Sequence, residues 1–583
     1  MSSTDLATKK KAETPATDGW DVEFKPDVTP WSELTLGQKI TDVGIKLFKV
    51  IVILGALYAF ICSLSFLADG FRLVAGKRAG EVFRNSEVFN NPIAGMLVGV
   101  LVTVLVQSSS TSTSIIITMV AADLLTVKQA ISLVMGANIG TSVTSTIVAM
   151  AQIGDKDEFR RAFAAATVHD MFNFLSVIVL LPLESLTHYL YHVSKALIDA
   201  TPGLQSGQKP PEILNAITKP LTSKLMTVDK KLITQIAVAT PAELVALEDK
   251  QILKNLFGWG PDDMSDGLSG AIALIFALTI LCTTLFTIVY TLKSLLKGRI
   301  AVSVVPPLRH IPLPVSSSRC ACNGLCAHLL LALASMQIWL HKSVNGNVPD
   351  LKLGGLTIPM GWLSGYLALI VGLGVTICVQ SSSITTSALT PLVGVGVIKV
   401  ERMYPTVLGA NIGTCITGLL AALAADSSKL FLTLQVAYAH LFFNLTGTSI
   451  WYVIWPLRAI PIGAAKFLGD TTAVYRWYAL AYIVMCFLVI PLIWMGMAIA
   501  STALVVVVST LVLVVLAFIT IINVMQTRCP EKLPAMLQDW TFLPLWMRSL
   551  EPLDRVVCSK IPTPKCCKAA PVTAAESTTA CAV

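Results

Sequence analysis

Four long runs of apolar residues constrain what this chain can fold into more than any other feature. Each run has between 19 and 25 residues, the length that an α-helix needs to cross a bilayer. Charged residues make up only 13% of the 583 residues, about half the share typical of soluble domains. We therefore predict an all-α polytopic membrane protein. The runs are Leu47–Leu67, Leu268–Leu292, Ala479–Met497 and Ala500–Ile522.

The charge pattern predicts the orientation of the chain in the membrane. The net charge is +8, and basic residues gather in the C-terminal tail and around Lys293–Arg299. By the positive-inside rule these segments and the polar N-terminus, which carries Lys9–Lys11, are expected on the cytoplasmic side. The N-terminus lacks the early apolar core of a cleavable signal peptide. The charge thus indicates topology, and nothing indicates binding of nucleic acid.

Three polar motifs occur twice in the chain, in the same order. In both places GANIGT begins 29 residues after the glutamine of QSSS. The chain therefore contains two copies of one unit, at roughly 93–190 and 363–457. The motifs are QSSS at Gln107–Ser110 and Gln380–Ser383, GANIGT at Gly136–Thr141 and Gly409–Thr414, and HxxFN from His169 and His440.

Duplicated units in a membrane protein suggest a transporter, often with inverted repeats and a binding site where the copies meet. The alternative is a duplication that only built a larger helix bundle, since small residues also help helices to pack. The clustering favours a site, because four consecutive polar residues cannot all face one neighbouring helix. An unsatisfied hydroxyl in hydrocarbon is costly.

The chemistry of the motifs suits a cation and an anion together. Two glycines and an asparagine in GANIGT predict an unwound transmembrane helix, whose carbonyls are hard oxygen ligands for Na⁺ and whose second half offers a positive N-terminus. QSSS is expected at a re-entrant hairpin in each copy and supplies hydroxyls. From Ile93 to Ala151 the only basic residue is Lys128. An anion bound there would need its charge balanced by bound cations, which favours symport.

One carboxylate lies within the apolar part of the first copy. Asp170 follows the small-residue run Ala164–Thr167 and precedes an apolar stretch. An acidic side chain inside a membrane is a functional candidate. The alternative is an interfacial aspartate that caps the following helix. The neighbouring His169 is interpreted as a structural histidine.

At this point the chain resembles the type II sodium-dependent phosphate cotransporters, solute carrier family 34. The resemblance rests on QSSSTSTS, GANIGTS, EFRRAFAAATVHDMFNFLSVIVLLPLE, the second QSSS and LPAMLQDWTFLPLWMRSLEPLD, and it covers about Pro30 to Asp554 except the middle. It implies an inverted-repeat carrier that takes up inorganic phosphate with Na⁺. It also implies cytoplasmic termini and residence in the plasma membrane, apical in epithelia.

The resemblance and the motif chemistry together give the candidate site residues. Na⁺ is the only metal expected, as a co-transported ion, and no cofactor is expected. The phosphate ligands are Gln107, Ser108, Ser109, Ser110, Thr111, Ser381, Ser382 and Ser383. The sodium ligands are Asp170, Gln380, Ser381, Thr414, Thr417, Asn138 and Asn411.

Within that family a small-residue pair and an acid mark the electrogenic members, and here they match Ala164, Ala166 and Asp170. The electroneutral branch has Ser, Ser and Gly at these positions. The chain therefore resembles the electrogenic branch, which moves three Na⁺ with each divalent phosphate.

The chain also departs from the family. The central loop has neither cysteine nor glycosylation sequon, and 302–342 matches nothing in the family pattern, so we interpret it as an unspliced or mispredicted insertion. The end, Cys581-Ala582-Val583, lacks the common PDZ ligand, although other tail-binding scaffolds are possible partners. The expected division is an N-terminal tail (1–40), a first repeat unit (41–190), an extracellular loop (191–267), a linking helix (268–300), a cytoplasmic linker (301–362), a second repeat (363–457), C-terminal helices (458–525) and a cytoplasmic tail (526–583).

The sequence thus predicts a secondary active symporter for HPO₄²⁻ and Na⁺ and not an enzyme, since there is no P-loop, no HExxH and no nucleophile–base signature. Two alternatives remain. One is a channel or uniporter that conducts phosphate without Na⁺. The other, from a different class, is a membrane receptor or scaffold in which the repeats are only structural.

Overall fold

The structure is a computed structural model, and the residues that it describes are almost entirely helical. Eight of the described helices are long and apolar enough to cross a membrane, which confirms an all-α polytopic protein. The insertion at 302–342, most of the N-terminal tail and the tail beyond 560 lie outside the described residues. Those described are 20, 35–84, 89–122, 124–200, 220–239, 250–258, 264–296, 351–353, 356–358, 363–423 and 429–560, with a few between 243 and 260.

The first half of the chain contains nine described helices and one small two-stranded sheet. Strands β1 and β2 are antiparallel, and they lie in the segment predicted as the extracellular loop. The elements are α1 (Leu36–Arg84), α2 (Pro92–Val106), α3 (Ser109–Ala121), α4 (Val127–Gly140), α5 (Val143–Met150), α6 (Lys156–Thr187), α7 (Tyr189–Asp199), β1 (Met226–Val228), α8 (Lys230–Val238), β2 (Leu253–Leu256) and α9 (Asp266–Leu296).

The second half repeats the order of the first copy and adds C-terminal helices. α17 exposes apolar side chains along most of its length, as a helix in contact with lipid does. The elements are β3 (Leu351–Leu353), β4 (Leu356–Ile358), α10 (Leu363–Val379), α11 (Ser382–Val395), α12 (Val400–Leu423), α13 (Leu430–Thr448), α14 (Ala459–Val474), α15 (Tyr478–Val484), α16 (Ile490–Ala500), α17 (Thr502–Arg528), α18 (Leu545–Arg548) and α19 (Glu551–Lys560). π-helical turns follow α13 (Ser449–Val453) and α15 (Met485–Val489), and short 3₁₀ turns occupy Trp455–Arg458, Pro530–Lys532 and Ala535–Leu537.

A helix–turn–helix lies at each QSSS motif, and the two turns have the same geometry. The glutamine adopts the left-handed conformation, with φ of 54° at Gln107 and 57° at Gln380. The next residue, Ser108 or Ser381, is extended and accepts a hydrogen bond from the backbone N–H three residues later. Serine is a preferred N-cap for this reason, so the motif itself ends one helix and begins the next. We call α2–α3 and α10–α11 the first and second hairpins.

A buried hydroxyl pair closes each hairpin at the same position. Thr103 Oγ1 donates to Ser112 Oγ at 2.9 Å across the first turn. Thr376 Oγ1 donates to Thr385 Oγ1 at 3.1 Å across the second. These side chains satisfy one another where water is excluded, which explains part of the unusual hydroxyl content of both motifs.

The prediction of an unwound helix at GANIGT is wrong for the second copy. There the hexapeptide lies inside α12, which runs unbroken from Val400 to Leu423. In the first copy the helix is interrupted only at the last residue of the motif, Thr141, and at Ser142, and both keep right-handed helical dihedral angles. The interruption is therefore a break in the hydrogen-bond ladder between α4 and α5 and not an extended segment.

The glycines of GANIGT permit close helix packing, and this is why they do not unwind the helix. A Cβ added at Gly136 would lie 1.8 Å from Met96 O, and one at Gly409 would lie 1.9 Å from Leu369 O. Such contacts require that no side chain be present. α4 thus packs backbone to backbone on α2, and α12 packs in the same way on α10.

Two further helices flank the duplicated units. α1 and α9 cross at a pair of glycines, because a Cβ at Gly270 would lie 2.6 Å from a methyl of Val74 and 3.0 Å from Gly70 O. The Lys49 ammonium donates to Ser294 Oγ at 2.7 Å near the other end of the pair. α1 also packs on α2, which positions its polar residues near the first hairpin.

Candidate functional site

The two copies meet through reciprocal histidine–asparagine pairs. His169 Nε2 of the first copy donates to Asn411 Oδ1 of the second at 2.7 Å. His440 Nε2 of the second copy donates to Asn138 Oδ1 of the first at 3.2 Å. Asn173 joins the pairs, because Asn411 Nδ2 donates to its side chain at 3.3 Å and it donates to the Asn138 carbonyl at 2.9 Å. All five side chains are buried, and the interpretation of His169 as a structural histidine is consistent with this contact.

Each hairpin packs on the other copy about one helical turn after its GANIGT motif. Ser145 Oγ and Thr386 Oγ1 are 3.2 Å apart, which joins α5 to the second hairpin. The equivalent positions bring Thr113 of the first hairpin against Gly418 of α12, where an added Cβ would lie 3.5 Å from the threonine methyl. Ser383 Oγ also donates to the Thr141 carbonyl at 3.5 Å, at the break in the first copy.

The glutamines of the two QSSS motifs have different environments. Gln107 is 7% exposed, and its side-chain carbonyl accepts a hydrogen bond from Thr144 Oγ1 at 2.8 Å. Gln380 is half-buried, and the equivalent bond to Thr417 is absent from the described part of the chain. Ser381 is likewise half-buried. The two glutamines thus differ in burial and in hydrogen bonding, although each motif as a whole has two buried and two half-buried residues.

The hydroxyls at the start of α3 form a connected cluster. Thr111 Oγ1 donates to Ser108 Oγ at 2.9 Å, and Ser108 Oγ lies 3.2 Å from Ser110 Oγ. Ser109 is buried beside them. Four of the predicted phosphate ligands therefore share the first turn of one helix, whose free N–H groups and positive dipole end suit an anion.

Asp170 lies in the middle of α6 and is 1% exposed, so the alternative that it caps a helix at the interface is wrong. Tyr482 of α15 donates to its Oδ2 at 2.7 Å, while Oδ1 has no hydrogen-bond partner among the described residues. Ala164 and Ala166 are fully buried on the same helix, and Ala164 packs toward Gly469 of α14. One oxygen of the carboxyl group is therefore left without a hydrogen bond in the described part of the chain.

The predicted sodium ligands are not assembled by direct hydrogen bonds. Thr414 Oγ1 donates to the Ala410 carbonyl of its own helix at 3.2 Å, and neither Gln380 nor Ser381 contacts Thr417 through a hydrogen bond in the described residues. No bond joins the two QSSS motifs directly in that part of the chain. Among the described residues, Asn138 and Asn411 are linked through Asn173, which is hydrogen-bonded to both.

Two buried residues contact the candidate site although no motif marked them. Arg72 of α1 is 5% exposed and donates from Nη2 to Thr111 Oγ1 at 3.4 Å, and its Nη1 forms an ion pair with Asp69. The other residue is Tyr482. An acid and a base three residues apart, just after the apolar run Leu47–Leu67, were the sequence signal for Arg72, and Tyr482 had none.

The comparisons agree with the arrangement of two copies. The family model of the Na⁺/Pi-cotransporters matches residues 59–195 and 362–460, so each matched segment contains one hairpin and one HxxFN motif. "Sodium-dependent phosphate transport protein 2A" of Rattus norvegicus is 43% identical over 90% of this chain and 79% of its own length. "Sodium-dependent phosphate transport protein 2B" of Homo sapiens is 41% identical over 93% of this chain and 78% of its own.

No solved structure matches the chain. The similarity to these relatives extends over about nine-tenths of the sequence. The two segments matched by the family model are those that carry the reciprocal contacts. This chain, a multi-pass membrane protein and a transporter rather than an enzyme, belongs to the sodium-dependent phosphate cotransporter family.

Proposed function

We propose that the protein is a secondary active symporter that imports inorganic phosphate as HPO₄²⁻ together with three Na⁺ across the plasma membrane. The observation that carries the proposal is the reciprocal packing of each hairpin on the other copy, with the His169–Asn411 and His440–Asn138 pairs between them. Two equivalent units around one polar interface are the architecture of alternating-access carriers. The names of the relatives supply the two substrates.

The number of helices between the hairpins supports inverted repeats. Three candidate spans lie between the first and second hairpins among the described residues: Val127–Met150, Lys156–Thr187 and Asp266–Ile288. If neither hairpin crosses the membrane, an odd number of crossings brings the chain to the second hairpin from the opposite face. Eight spans in all would leave both termini on one side, which the basic tail suggests is the cytoplasmic side.

Coupling follows from the charge of the bound ions. The cluster of hydroxyls at Ser108–Thr111 accommodates an anion, and the second motif with Thr414 and Thr417 accommodates a cation. Asp170 offers one oxygen for an additional cation. Three Na⁺ with one HPO₄²⁻ carry a net charge of +1, so transport is electrogenic. Apical residence and binding of the tail by scaffold proteins are further parts of the proposal, carried by the family resemblance.

Uptake of labelled phosphate under voltage clamp tests the proposal. We expect uptake to require Na⁺ and to be accompanied by an inward current of one charge per phosphate. Phosphate flux that does not depend on Na⁺ would indicate the channel or uniporter instead. No phosphate flux at normal surface expression would indicate a receptor or scaffold.

Equivalent cysteines test the inversion. Thr126 and Lys399 occupy matching exposed positions just after the two hairpins. In a background without other reactive cysteines, Thr126→Cys should react with an impermeant thiol reagent applied outside. Lys399→Cys should react only after access to the cytoplasmic face. Labelling of both positions from one side would mean a parallel duplication.

A further inference from the structure

A positive charge buried in α1 faces the first hairpin. Arg72 is 5% exposed, and its guanidinium contacts Asp69 through Nη1 and Thr111 through Nη2, the latter at 3.4 Å. Its Nε is buried without a hydrogen-bond partner among the described residues. An arginine can donate five hydrogen bonds, and leaving one of them unmade in a buried position is unfavourable. The ion pair with Asp69 therefore does not satisfy all the donors of the guanidinium, as a purely structural contact would be expected to do.

The contact with Thr111 orients a chain of hydroxyls. Because Thr111 Oγ1 accepts from Arg72, its own proton points to Ser108 Oγ at 2.9 Å. Ser108 Oγ also accepts from the Thr111 backbone N–H at 3.3 Å, so its proton points to Ser110 Oγ at 3.2 Å. Ser110 is half-buried, and no acceptor for its own proton lies among the described residues, so the chain of hydroxyls ends in an accessible O–H donor. Hydrogen bonds aligned in one direction strengthen one another.

The second hairpin has no equivalent of this chain. Ile384 occupies the position of Thr111, so the serine at the head of α11 has no hydroxyl three residues later. Within the described part of the chain, the Ser381 hydroxyl accepts from the Ile384 backbone N–H alone, at 3.3 Å. The two motifs are thus alike in turn geometry and different in polarity. Only the first motif has a chain of hydroxyls that starts at the Arg72 guanidinium, and in this chain each O–H points away from the arginine.

We propose that Arg72 is a positioning residue of the phosphate site, which acts through Thr111, Ser108 and Ser110 to make the first QSSS motif selective for the anion. Asp69 is its counter-ion and limits the positive charge that the site presents. In the empty site the pair is neutral, so the need for co-bound Na⁺ is preserved. The inference rests on the proposed function, and it names one residue that sets the affinity of the transporter for phosphate.

The test is the apparent KM for inorganic phosphate at saturating Na⁺ and pH 7.4, normalised to surface protein. Arg72→Gln should raise the KM about tenfold with little change in the maximal rate, and Arg72→Lys should recover part of the affinity. Asp69→Asn should lower the KM, because the guanidinium is no longer neutralised. Thr111→Val should raise the KM alone, but not further when combined with Arg72→Gln.

The double variant Asp69→Asn with Arg72→Gln separates this role from a structural one. If Arg72 positions phosphate, the double variant keeps the raised KM of Arg72→Gln. If the pair only holds α1 in place, removing both charges restores the wild-type KM, since a buried pair can be replaced by neutral residues without loss. That restoration would overturn the proposal.

Two further outcomes are decisive. Should Arg72→Gln fail to reach the surface, Asp69→Asn remains informative, and an unchanged or raised KM in that variant overturns the inference. Wild-type uptake with an unchanged KM in Arg72→Gln would refute this inference and leave the proposed function standing. Absence of Na⁺-dependent uptake in the wild type would refute both.

Discussion

Replacement of Asp170 by asparagine keeps the size and shape of the side chain and removes its charge. Asparagine can still accept the hydrogen bond from Tyr482, which is 2.7 Å long in the wild type. What is lost is the attraction between the free oxygen and a cation. At about 4 Å and an effective dielectric of about 20, that attraction is about 4 kcal/mol, before desolvation costs. At about 1.4 kcal/mol per tenfold, this changes the occupancy of the site by about a thousandfold.

The measurement is the charge moved per phosphate, from simultaneous current and labelled phosphate uptake in the same cells. We expect a ratio of one in the wild type, because three Na⁺ accompany HPO₄²⁻. In Asp170→Asn one Na⁺ should no longer bind, so uptake continues more weakly and the ratio falls to zero. Asp170→Gly should give the same ratio, since it also removes the carboxylate.

Tyr482→Phe is the matched control. It removes a hydrogen bond to the carboxylate, worth about 1.5–3 kcal/mol, but leaves the negative charge. We expect the apparent affinity for Na⁺ to change and the ratio to stay at one. If Asp170→Asn at normal surface levels kept the wild-type ratio, the carboxylate would not bind the additional cation and the electrogenic assignment would need another residue.

Two further predictions concern the second copy. Ser381→Ala and Thr417→Ala should each raise the Na⁺ concentration for half-maximal uptake by about five- to a hundredfold, because each removes a ligand worth about 1–3 kcal/mol. Normal Na⁺ dependence in both variants would exclude these residues from the sodium site. Gly409→Ala should abolish surface expression measured by biotinylation, because its Cβ would lie 1.9 Å from a backbone oxygen. Gly374→Ala, on α10 with nothing within 4 Å, is the control and should express normally.

The sequence predicted the location of both hairpins because the QSSS motif acts locally. A serine N-cap and a glutamine that tolerates the left-handed conformation define a turn without help from distant residues. The same reasoning failed at GANIGT. A glycine can serve either an unusual backbone conformation or a close contact with another helix, and only the neighbouring helix distinguishes the two uses.

The remaining parts of the site depend on contacts between distant segments. Tyr482 reaches Asp170 across 312 residues, and Arg72 reaches Thr111 across 39. Neither contact has a spacing that a repeat or a periodicity would reveal. The sequence therefore did not reveal a buried cation near the first QSSS motif, since Arg72 lies on α1, before the stretch 93–190 in which the motifs repeat.

The glycine contacts also determine where the molecule is able to deform. Within each copy, the backbones of α2 and α4, or of α10 and α12, touch directly, and such an interlocked pair cannot slide without a collision of main-chain atoms. Each pair therefore moves as one rigid body. The two copies are joined by side-chain hydrogen bonds of 2.7 to 3.5 Å and by a shared apolar cluster that includes Val168 and Val393. The interlocked backbones therefore lie inside each copy, so a rearrangement of side chains between the copies would leave the shape of each hairpin and its partner helix intact.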